Sequence, residues 1–278
     1  MWIEKNRKIG REFNPFTGHK EDVYNMDKSK EWFHYDYSKK RIKSTNQVAI
    51  CSGNIIEIKQ YESPVFYNFE GNSKGKSGGS KQKRANNINQ SKMKLRRLIN
   101  SNIKPYSKFI TLTFADNVTD MKKAKIEFKN FVKRLNYKLK KKGSKNLKYV
   151  YVVEFQKRGA IHFHVIGFNL GFIKNSDLRE MWKHGYVTIN KINNVDNVGA
   201  YVVKYMSKDL VNEGLNGHDL YGRSRGNLEE PIEIKNPQEV GQLLESYENK
   251  IVYSKTYNTE YFGECQYIQI NLTRSKTL

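Results

Sequence analysis

His162 and His164 stand one residue apart in AIHFHVIGF, residues 160–168. Alternate side chains of a β-strand share a face, so the two imidazoles project together and Phe163 points the other way. LKYVYVVEF (147–155) and IHFHVIGF (161–168) both read as strands, with Gln156, Lys157, Arg158, Gly159 and Ala160 between them. A loop of Lys157-Arg158-Gly159, with glycine at the position needing positive φ, sets Gln156 opposite Ala160. Glu154 then faces His162. Glu154, His162 and His164 form a two-histidine, one-carboxylate set that can hold a divalent cation and leave coordination positions open for substrate. The plain alternative is a structural histidine pair with a chance carboxylate nearby.

A second group of reactive side chains lies in AYVVKYMSKDL (200–210), where Tyr201-Val-Val-Lys204 runs directly into Tyr205-Met-Ser-Lys208. On a helix, positions i, i+3 and i+4 share a face, so Tyr201, Lys204, Tyr205 and Lys208 form one stripe of phenols and ammoniums. Val198, Val202 and Met206 form an adjoining apolar stripe that can seat the helix on a sheet. A phenol, with a pKa of about 10, is a weak nucleophile at neutral pH. A nearby ammonium and a cation both favour the phenolate. Attack on a phosphodiester would join the 5′-phosphate to tyrosine and release a 3′-hydroxyl. The new bond is again a phosphodiester, so rejoining needs no ATP. The competing account is a core tyrosine pair with surface lysines.

These groups need strands and helices to hold them. KFITLTF (108–114) reads as a strand, 120–142 as a strongly basic amphipathic helix, 176–184 as a short helix and GYVTINKI (185–192) as a strand. Residues 196–210 read as a helix with Asp196 as N-cap. Another helix spans 87–102. The order β-α-β-β-α-β-α predicts an α+β domain: a mainly antiparallel sheet with helices packed on it. QVAICSGNIIEIKQYE (47–62) reads as a hairpin around Ser52-Gly53-Asn54. Beyond 231 come a helical stretch around 237–247 and β-rich runs at 250–257 and 261–272. The expected organisation is an N-terminal extension (1–70), a basic Gly/Ser/Lys-rich linker (71–86), a central domain (87–231) and a C-terminal extension (232–278). Thr111 and Thr113 share the face opposite Ile110, Leu112 and Phe114, first as structural residues and second as DNA contacts. Arg223 and Arg225 in YGRSRGN are candidates for phosphate contact or for solvated loop positions. His184, beside Trp182, has no evident partner.

Composition points to the substrate. Fifty Lys and Arg against 28 Asp and Glu give a net charge of +22 in 278 residues. That excess calls for a polyanion. No segment has the length and apolarity of a membrane span, and the N-terminus lacks the apolar stretch of a signal peptide, so nucleic acid is preferred over a membrane surface. Cys51 and Cys265 are far apart and in no metal spacing, which suggests a reducing interior. The run Gly71 to Ser77 imitates a phosphate-binding loop but has three residues between its glycines where four are needed. A built-in nucleotide-driven motor is therefore excluded.

FITLTF, then HFH, then YVVKY, in this order, resemble the three motifs of rolling-circle replication initiators. These are the HUH endonucleases of small plasmids, single-stranded DNA phages and integrative elements. WKHGYVTINKI and YGRSRGN are similar to segments that flank those motifs, and the resemblance covers about residues 85–231. It implies a sheet-centred nuclease domain, Mg2+ or Mn2+ as cofactor and origin DNA presented as a single strand or hairpin. It also implies a host helicase and polymerase as partners, and the cytoplasm of a bacterial cell as the setting. On this resemblance His162, His164 and Glu154 are the metal ligands and Tyr201 and Tyr205 the nucleophiles. A rolling-circle transposase or mobilisation relaxase would use the same chemistry. A non-catalytic basic nucleic-acid-binding protein is the remaining alternative.

Overall fold

A computed structural model describes residues 8–14, 19–24, 33–36, 41–67, 81–192, 196–206, 221–226, 228–259 and 262–274. In chain order the strands are β1 (Lys8–Asn14), β2 (His19–Tyr24), β3 (Phe33–Asp36), β4 (Arg41–Ser52), β5 (Ile55–Phe66), β6 (Lys108–Phe114) and β7 (Tyr149–Phe155). They continue with β8 (Ile161–Gly167), β9 (Gly185–Lys191), β10 (Tyr221–Arg223), β11 (Ile232–Ile234), β12 (Ile251–Thr259) and β13 (Gly263–Asn271). The helices are α1 (Lys81–Asn102), α2 (Met121–Lys141), α3 (Asn175–Trp182), α4 (Val198–Val202) and α5 (Pro237–Ser246). The fold is α+β, and every strand pairing among the described residues is antiparallel. No helix among the described residues is long and apolar enough to cross a membrane.

The chain divides into two compact units, Ser91–Glu230 and a second made of Met1–Gln90 with Pro231–Leu278. In the first, the sheet order is β10-β7-β8-β6-β9. One face is covered by α2, which opens on Asp120, whose carboxylate accepts from the amides of Lys122 and Lys123 and so caps the helix. Its apolar stripe of Ala124, Phe128, Phe131 and Leu135 is buried. Phe128 stacks on Phe163 with centroids 4.9 Å apart, and Phe131 meets Trp182 edge to face. Phe163 is therefore committed to the core, and strand alternation sends His162 and His164 to the opposite face. The lysines of α2 face away from the sheet.

In the second unit, β4 and β5 form a hairpin whose Ser52 pairs with Ile55, with Gly53 at φ 57° in the turn. The strands run well past the 47–62 expected from the sequence. Residues from 1–70 and 232–278, expected as separate extensions, share one sheet: β13 pairs with β5 and β11 with β4. Val240 of α5 packs on Ala49, Ile56, Ile58, Ile268 and Ile270. Neither segment can bury its apolar face alone, and pairing hides both. A second departure is the start of α1 at Lys81, inside the 71–86 expected to be linker. Residues 71–80 lie outside the described residues.

Candidate active site

The β7–β8 hairpin has the register that its loop dictates. Glu154 pairs with His162, the Gln156 amide donates to the Ala160 carbonyl at 2.9 Å, and Gly159 takes φ 82°. One ligand atom from each of Glu154, His162 and His164 lies within 4.8 Å of the others. His164 Nε2 sits 2.6 Å from Glu154 Oε2. His162 Nε2 is buried with no hydrogen-bond partner among the described residues. Burial, reinforced by the neighbouring His164 and by Arg158, holds the His162 pKa below its ordinary value against the pull of Glu154. Burial also lowers His164, although the Glu154 hydrogen bond opposes it. Neutral imidazoles are the form that binds metal. An orphaned buried lone pair beside a neutral imidazole and a carboxylate suits a divalent cation.

The neighbouring strand β6 supports this group. Thr111 lies directly across from His164 and Thr113 across from His162. The Thr111 hydroxyl is 3.2 Å from His164 Nδ1. A hydroxyl both donates and accepts, so it satisfies Nδ1 in either imidazole tautomer. When the proton rests on Nδ1, Nε2 is free to coordinate. Thr111 is thus engaged with a histidine, whereas the sequence suggested DNA contact as its second role. The Thr113 carbonyl accepts from Trp182 Nε1 at 3.0 Å, tying β6 to the end of α3.

The tyrosines come from an element that differs from expectation. Helix α4 has its N-cap at Asn197, whose side chain accepts from the Ala200 amide, and not at Asp196. It runs only to Val202 before tightening into a 3-10 turn over Val203–Tyr205. Two adjacent valines and two tyrosines are mediocre helix formers, so the long helix 196–210 is not sustained. Within this shorter element the Tyr201 and Tyr205 hydroxyls still meet at 2.8 Å. The Tyr205 ring stacks on His164 with centroids 4.0 Å apart, and Phe109 packs against Tyr201, Tyr205 and His164. Burial, then the Tyr201 hydrogen bond, pushes the Tyr205 pKa up to about 12. Lys204 Nζ lies 6.0 Å from the Tyr201 ring centre, and Lys208 falls outside the described residues.

Two residues that the sequence left unmarked dock this element. Asn100 of α1 donates to Asn197 Oδ1 at 2.9 Å, and its own Oδ1 accepts from the Gly199 amide at 2.8 Å. Gly199 has no room for a side chain: a Cβ there would stand 2.2 Å from the Arg96 carbonyl oxygen. The only sequence signal was a glycine in a helical stretch, which often marks close backbone approach. Arg158, seen from sequence as a loop residue, is fixed by bonds to Gln156 Oε1 and to the carbonyls of Phe114 and Ala115. Its charge reaches His162. Arg223 pairs with Glu230, while Arg225 is exposed in the following loop. His184 has a partner after all, Glu127 of α2 at 2.8 Å, and serves the packing of β9 against that helix.

Residues 107–210 match the family model of a replication-associated protein of the ORF2 type. The matched segment contains Thr111, Glu154, His162, His164, Tyr201, Lys204 and Tyr205. The similarity supports a replication initiator role, with origin DNA as the fitting partner. No curated protein and no solved structure gives a significant match to the chain.

Proposed function

We propose that this chain initiates rolling-circle replication as a metal-dependent endonuclease that nicks and rejoins single-stranded DNA through tyrosine. The observation that carries this is the packing of the Tyr205 ring on His164, which brings two hydrogen-bonded phenols to the Glu154–His162–His164 cluster. Glu154, His162 and His164 would hold Mg2+ or Mn2+. Bound there, the cation would polarise the scissile phosphodiester and neutralise charge growing on its non-bridging oxygens.

The chain's own groups supply the remainder. A Tyr oxygen attacks phosphorus, forming the Oη–P bond and breaking the bond to the 3′-oxygen. The phenol gives up one proton and the released 3′-oxygen takes one up, so the step is proton-neutral overall. The shared hydrogen bond lets the second phenol stabilise the oxygen that is losing its proton. Lys204 adds positive charge on the Tyr201 side. While one tyrosine carries the 5′-phosphate, the other can attack the junction that closes the displaced strand. The free 3′-hydroxyl would prime a host polymerase, and a host helicase would open the duplex.

The test incubates the protein with labelled single strands tiled across the encoding replicon, with Mn2+ or Mg2+, and looks for a covalent adduct on denaturing gels. Tyr201→Phe and Tyr205→Phe should each retain some adduct, and the double variant none. An adduct in the double variant would exclude tyrosine chemistry at this pair. Complete loss in Tyr201→Phe, with Tyr205→Phe fully active in nicking and joining, would leave a single nucleophile.

A further inference from the structure

The strand registers align four side chains in one row across the sheet. Glu154 pairs with His162, His162 with Thr113, and Thr113 with Tyr186. Directly paired residues of antiparallel strands present their side chains on the same face. Tyr186 therefore stands on the face of the metal-ligand cluster, two strands beyond His162, or about 10 Å at the usual inter-strand spacing. The next row has the same order, with Thr111 between His164 and Thr188.

Tyr186 is unlike the other aromatics around the cluster. Phe109 is buried, and Tyr205 is held on His164, but the Tyr186 side chain is 63% exposed. No hydrogen bond or ring contact engages it among the described residues. Its strand is not loosely attached, because Val187 is buried in the core and Asn175 Nδ2 donates to the Val187 carbonyl. A rigid strand thus presents a free ring to solvent, with Thr188 and Asn190 exposed beside it. At the same end of the sheet, Arg158 is fixed on the carbonyls of Phe114 and Ala115, immediately after Thr113.

We propose that Tyr186 is a stacking platform for one unpaired base of the DNA strand lying across the cluster, with Arg158 contacting its phosphate backbone. This rests on the nuclease function proposed above and assigns a substrate-binding position within it. An exposed aromatic ring on a sheet, beside a fixed cation, is the arrangement that holds single-stranded nucleic acid. The roughly 10 Å from His162, two inter-strand spacings, exceeds one nucleotide step, so the stacked base lies outside the scissile linkage. The ring contributes to binding rather than to bond breaking.

The experiment measures affinity of the full chain for labelled single strands in excess chelator, where no cleavage intervenes. Tyr186→Ser should weaken binding by about tenfold, within the range of base–aromatic stacking, and Tyr186→Phe should bind as wild type does. A single abasic site moved along the oligonucleotide should weaken wild-type binding most at one position. That loss should vanish in Tyr186→Ser, since the base and the ring report one contact. Unchanged affinity of Tyr186→Ser overturns the proposal. So does equal weakening by Tyr186→Phe, or the lack of any abasic position coupled to the ring. Wild-type protein that binds with this coupling but forms no adduct would refute the nuclease chemistry and leave the stacking site standing.

Discussion

Substituting Gly199 by Ala gives the sharpest test of how the tyrosines are held. Nothing about the backbone there demands glycine; the close approach to α1 does. The added Cβ would lie 2.2 Å from the Arg96 carbonyl oxygen and 2.8 Å from its carbonyl carbon and Cα. A carbon and a carbonyl oxygen do not normally come nearer than about 3.3 Å, so α4 must retreat by roughly 1 Å. The contact is with helix backbone, which cannot swing aside as a side chain would. The bond from the Gly199 amide to Asn100 would stretch in the same movement. Tyr201 lies two residues further on. A misplacement of about 1 Å costs a reaction on the order of a hundredfold in rate. Single-turnover adduct formation should therefore slow by about two orders of magnitude, with Mn2+ and single-strand affinity kept, because those sites belong to the sheet. Helix propensity alone would make alanine favourable by about 1 kcal/mol, so loss of activity cannot be put down to a weaker helix. Asn100→Ala provides the companion variant, breaking the same docking without the clash. If Gly199→Ala forms adduct within threefold of wild type, α4 does not position the tyrosines by this contact.

Replacing both His162 and His164 by Ala should abolish cleavage in Mn2+ or Mg2+ while leaving single-strand affinity within a few fold, since binding rests on distributed positive charge; normal cleavage would refute the metal assignment. Thr111→Val should lower Mn2+ affinity by about tenfold or more by calorimetry, with Thr111→Ser close to wild type, because serine restores a hydroxyl at His164 Nδ1; equal affinity for the valine variant would remove Thr111 from the site. In the metal-free protein, burial lowers both histidine pKa values from 6.5, so the unfolded chain binds more protons as pH falls. Stability present above pH 6.5 should be lost as pH falls through the lower folded-state values, and melting temperatures should show this slope in wild type and a weaker one in the double alanine variant.

The local geometry of the metal cluster was legible in the sequence because it depends on short-range rules. Strand alternation, a three-residue loop and a glycine at positive φ were enough to set Glu154 opposite His162 and to send His164 to the same face. The amphipathic stripe of α2 was equally local, since its periodicity and its Asp120 cap lie within one segment. The spacing of Tyr201 and Tyr205 showed that the two phenols would come together, although not that the helix would end between them. What surrounds these groups was decided by contacts between distant segments. Thr111 reaches His164 because β6 inserts between β8 and β9, and Tyr186 joins the row of the cluster for the same reason. Asn100 and Gly199 meet across 99 residues of sequence. The two terminal segments become one sheet through the β5–β13 and β4–β11 pairings. No periodicity encodes such partners: each strand or helix has an apolar face that several others could cover, and only packing the whole chain selects which one does.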